Sequence, residues 1–153
     1  MATLKDALAA SASFTITLGG LANGSARQST EIDNTTNLYV GAYVACNIKL
    51  GTSPTSNTII SVYILRNDNN ATPIRDDAAG ASDAAITIKN ATLIGTLTTG
   101  GSAATGDVLK GVFYVDNLGP KWSIAIKNDT GVALDATNGN HVVNYVGVTK
   151  TIV

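Results

Sequence analysis

The stretch "NLYVGAYVACNIKL", residues 37–50, has an apolar side chain at every even position: Leu38, Val40, Ala42, Val44, Cys46, Ile48 and Leu50. Successive side chains of an extended chain point to opposite sides, so this alternation reads as a β-strand with one buried face. At about 3.3 Å per residue it would run for roughly 40 Å. The other face, Tyr39, Gly41, Tyr43, Ala45 and Asn47, carries no charge before Lys49. A neutral face holding two tyrosines asks for a cover, and a second subunit is the expected one.

Outward from this strand the chain keeps the same character. "SFTITL" at 13–18 alternates, with Phe14, Ile16 and Leu18 on one side, and "TIISVYILR" at 58–66 is apolar on both faces, as a central or interface strand is. Further strands are predicted over 85–88, 91–98, 107–116, 121–128, 132–136 and 141–153, with turns at Asn117–Pro120, Asn128–Gly131 and Asn138–Asn140. Eight or nine short strands without an internal helix predict an all-β, single-domain antiparallel β-sandwich, with a jelly-roll order preferred to an immunoglobulin-like one. "TLKDALAA" at 3–10 reads as a short helix: Thr3 can cap it, Asp6 takes the capping-box position, and Leu4 and Leu8 share a face. So short a helix is unstable alone in water, so residues 1–12 are expected to form an N-terminal arm or short helix beside a sandwich domain at 13–153. The irregular segment 67–84, "NDNNATPIRDDAAGASDA", is long enough to suggest a function.

A chain of 153 residues can bury about 70% of its unfolded surface in one core without disulfides. Charged residues make up only 14%, against about 25% in ordinary soluble proteins, and the formal net charge is −1. Lys and Arg are scattered, which argues against a nucleic-acid partner, since displacing phosphate counterions takes a clustered basic face. No run of about 20 apolar residues would span a membrane, and Lys5 and Asp6 interrupt the one segment resembling an export signal. The chain is therefore expected to fold where it is made.

Catalytic residues are sparse. His141 is the only histidine, so a Ser/His/Asp triad or a His-rich zinc site would both rest on it, and its place at a turn-to-strand junction suits a structural role. Asp107 and Asp116 stand at opposite ends of one predicted strand, too far apart for a glycosidase pair, while Asp76, Asp77 and Asp83 lack neighbouring aromatics. The same loop offers oxygen ligands for calcium but no EF-hand spacing, so a solvated polar loop is expected. Cys46, on the apolar face, reads as a buried small hydrophobe. No enzyme activity, cofactor or metal is expected. Trp122 shares an apolar face with Ile124 and Ile126 and belongs to the core, which leaves the strand tyrosines as candidates for contact with partners or sugars.

Two blocks, "SARQSTEIDNTTNLYVGAYVACNIK" at 25–49 and "LGPKWSIAIKNDTGVALDATNGNHVVNYVGV" at 118–148, cover about a third of the chain. Together they resemble small virion structural proteins of tailed bacteriophages, a group that includes head decoration or cement proteins with β-sandwich, often jelly-roll, folds. The resemblance implies a non-enzymatic decoration protein on the outside of the phage head, made in the host cytoplasm, a homotrimer that binds the major capsid protein and bridges capsomers. A carbohydrate-binding sandwich from a phage tail or fibre is the alternative. The candidate contact residues on this reading are Leu4, Leu8, Arg27, Tyr39, Tyr43, Tyr63 and Tyr145.

Overall fold

A computed structural model describes residues 2–153. Two antiparallel sheets face each other. The front sheet runs in the order β1 (Leu4–Leu8), β11 (Val142–Ile152), β5 (Gly41–Lys49), β9 (Val108–Asp116), with β2 (Ala12–Ser13) also on β11. The back sheet runs β7 (Ala84–Ile86), β3 (Ala26–Gln28), β10 (Lys121–Asp129), β6 (Ile59–Asn67), β8 (Thr92–Thr98), with β4 (Ile32–Asp33) also on β10.

The pairing is nested. β1 and β2 pair with β11, β3 and β4 with β10, β5 with β9, and β6 with β8. First strand with last and innermost with innermost is one long antiparallel hairpin rolled into two sheets, the jelly-roll arrangement preferred from the sequence. β7 is an addition at the back-sheet edge, on β3.

The inward positions of the long strands fill the space between the sheets. Val44, Cys46 and Ile48 of β5 face a layer that includes Ile60, Val62 and Ile64 of β6 and Ile124 and Ile126 of β10. At one end Phe14, Trp122 and Tyr145 pack ring against ring, with centroids 4.9–5.4 Å apart. The stretch 14–18 is extended and crosses between the sheets: Phe14 N–H donates to Val143 O of β11, and Thr15 O accepts from Thr30 N–H. Its Phe14, Ile16 and Leu18 are buried, as their alternation predicts.

Two expectations are corrected. The strand read over 37–50 begins at Gly41. Asn34–Asn37 form a single helical turn, capped by Asp33 accepting from Thr35 N–H, and Leu38 adopts a left-handed conformation at φ 54° and ψ 36°. Asn34 holds this turn: its Oδ1 accepts from Tyr39 N–H, and its Nδ2 donates to Tyr39 O and Gly119 O. Leu38 and Val40 are consequently exposed. Nor is there a helix at 3–10 or a free arm. Leu4–Leu8 pairs with β11 from Leu4↔Ile152 to Leu8↔Val148, and Thr3 and Val153 exchange backbone hydrogen bonds at 2.9 Å. A segment too short to sustain a helix satisfies its main chain by joining a sheet. Met1, the first residue of the expected arm, lies outside the described residues.

Candidate functional site

The sandwich has two outer faces. On the back sheet, Leu65 of β6 pairs with Ser123 of β10, and Ala125 of β10 lies between Tyr63 and Gln28. These positions alternate away from the core, yet Gln28, Leu65, Ser123 and Ala125 are all buried. The cover is the chain's own excursion from 68 to 91. Gln28 donates from Nε2 to Gly80 O and Ser82 O and accepts at Oε1 from Ala79 N–H. Glu31 pairs with Arg75 at 2.9 Å and accepts from Asn67 Nδ2, and its own N–H donates to Ala81 O. Asp77 closes the far end by accepting from the backbone N–H groups of Lys89, Asn90 and Ala91.

The front sheet has no such cover. Its outward residues include Leu4 and Leu8 from β1, Tyr43 from β5 and Val142 and Ile152 from β11, all exposed. β9 adds Val108, Val112 and Tyr114. Eight of the fourteen large exposed hydrophobics of the described residues therefore lie on one face. Tyr43 and Tyr114 are cross-strand partners with ring centroids 5.1 Å apart, tilted by 56°. Tyr114 lies across Gly41, where a Cβ would come within 2.7 Å of Tyr114 Cζ, so glycine is what lets the ring fold down. Beside the pair, Asp6, Leu8 and Val148 complete a shallow cleft of about 290 Å³.

Charges frame this face without entering its middle. Asp6 pairs with Lys150, and Lys49 pairs with Asp135 at 3.3 Å. Among the described residues Lys110 and Asp116, both exposed on β9, make no ion pair.

The structure brings Leu4, Leu8 and Tyr43 together here and distributes the other expected contact residues elsewhere. Tyr145 is corrected to the core: it is 9% exposed between Phe14 and Trp122, and burial pushes its phenol up. Tyr39 is also turned inward, because the helical turn before it ends the strand; its ring covers inward-facing Gly147. Tyr63 is half-buried on the back sheet opposite Ala125. Arg27 is held by Asp83 at 2.5 Å, and Asp83 also accepts from Thr17. Tyr114, which completes the exposed pair, was one of the strand tyrosines but not one of the seven named contact residues; its register with Tyr43 is the signal that singles it out.

The groups capable of carrying chemistry are engaged structurally. Cys46 is buried, which pushes its thiol up to about 12. His141 Nε2 meets Asp135 O at 2.9 Å, while its Nδ1 is buried without a partner. Bonds from Asn140, Thr137 N–H and Lys49 hold the Asp135 carboxyl down at about 2. Asp68 accepts from the N–H groups of Asn70 and Ile74 within its own loop. Among the described residues no three His, Cys, Asp or Glu side chains stand together to hold a metal, and no helix is long and apolar enough to cross a membrane.

No family model, curated protein or solved structure matches the chain.

Proposed function

We propose that this chain is a non-enzymatic virion structural protein of the capsid decoration or cement type, which binds the major capsid protein outside a phage head and ties capsomers together. The observation that carries the reading is a jelly-roll sandwich with one bare apolar sheet face, which commits the chain to assembly, and with its histidine and cysteine held in structural positions. Exposed apolar surface of this extent marks an interaction site, and the resemblance of residues 25–49 and 118–148 to virion proteins supplies the kind of assembly. A structural glue needs many weak contacts repeated over a lattice more than one strong one.

The test is gold-labelled antibody against the purified chain, viewed by electron microscopy on virions from the source strain. Label on the heads is the expected result. Unlabelled particles would remove the proposal.

A second reading, a carbohydrate-binding sandwich from a tail or fibre, is favoured by one feature: the exposed Tyr43–Tyr114 pair beside the Asp6 cleft. It predicts label on tails and saturable glycan binding that Tyr114→Ala abolishes while the fold persists.

A further inference from the structure

We infer that the outer face of the front sheet is the seam of a two-fold homodimer, in place of the homotrimer that the resemblance implies, in which two copies stack this face sheet on sheet with their β9 strands antiparallel. The argument begins with the outward stripe of β9, which reads Val108, Lys110, Val112, Tyr114, Asp116. A cation stands near one end and an anion at the other, about 20 Å apart for six residues of strand. Neither has a partner within its own chain among the described residues, whereas the other charges on the face, Asp6, Lys150 and Lys49, are paired.

A two-fold axis lying between the stacked sheets and perpendicular to the strands sets β9 over β9 and reverses its direction. With the axis level with Phe113, Lys110 of each copy meets Asp116 of the other. The same operation sets Tyr114 over Val112 on β9, and Tyr43 over Ala45 on β5, the residue that pairs with Val112. Large side chains thus oppose small ones, as interdigitating sheet faces require. The isologous geometry satisfies both unpaired charges with one kind of contact, used twice.

With this axis β9, β5 and β11 overlap their copies over the seven levels from Lys110 to Asp116, about 23 Å of three strands about 4.8 Å apart, or roughly 330 Å² in projection, so the seam is a small one that dissociates on dilution. Of the two outer faces only this one is free, since the chain's own loop occupies the back sheet. The seam therefore closes on two copies.

Light scattering coupled to size exclusion tests this on the full chain over a dilution series. Wild type is expected at twice the 15.6 kDa chain mass at the concentrated end of the series. Lys110→Asp and Asp116→Lys should each weaken the dimer at least tenfold, and the double swap Lys110→Asp with Asp116→Lys should restore it, with circular dichroism confirming the fold of each. A wild type that is trimeric, or monomeric throughout the series, overturns the inference. So do single variants that stay dimeric or a double swap that does not recover. The capsid reading is judged separately: labelled heads with a monomeric chain would retain the role and remove the seam, and a dimer with unlabelled virions would do the reverse.

Discussion

The two outer faces of the sandwich are built from the same kind of strand and end in opposite conditions. On the back sheet an excursion of some two dozen residues folds over Leu65, Ser123 and Ala125 and anchors itself through Gln28, Glu31 and Asp77. On the front sheet Tyr43, Val112 and Tyr114 meet solvent. A sheet face with apolar side chains needs a cover, and the covers differ in origin: one is supplied by the chain itself, whereas the other has to come from outside. The loop attracts attention by its length, but its polar groups are turned to the task of lying flat. The surface available for recognition is the one without a loop.

This contrast can be broken by substitution. The largest effect is expected from Leu65→Ala, which empties a buried site beneath the loop and should cost about 3 kcal/mol in urea unfolding. Gln28→Ala leaves the carbonyls of Gly80 and Ser82 and the N–H of Ala79 without their partner, so about 2 kcal/mol is expected, together with faster proteolytic cleavage within 68–83. Loss of stability without any change in cleavage would mean that the excursion is held by something other than Gln28. The smallest effect belongs to the front face: Val112→Ser should change the stability of the dilute chain by no more than about 0.5 kcal/mol. A shift of Leu65→Ala size at Val112 in dilute protein would show that the two faces are equally covered, and the comparison would fail.

Much of this was legible from alternation. β5, β9 and β10 appear close to where periodicity puts them, because each has a face committed to the core. β1 was misread for a definable reason: Leu4 and Leu8 are four apart, a spacing that places two side chains on one face of a helix and equally on one face of a strand. Length alone favoured the strand. β3 and β4, three and two residues long, are too short to show a period at all. Tyr145 was misplaced because 142–148 is mostly apolar on both sides, so parity does not say which side faces Trp122. The bare face itself was half visible. Tyr43 and its neutral neighbours announced an uncommitted surface, but Tyr114 joins it only through a pairing between residues about 70 positions apart.

The nested pairing also imposes an order on biosynthesis. β11 lies between β1 and β5, so the front sheet has a gap at its middle until the last strand leaves the ribosome. β1 has no other neighbour, and β5 can zip only along its β9 side before then. The back sheet, whose β3, β6, β8 and β10 are all translated earlier, can assemble while the front remains open. Until β11 is made the nascent chain thus carries its apolar strands uncovered, and a pause or truncation before Val142 would release a half-closed, sticky intermediate.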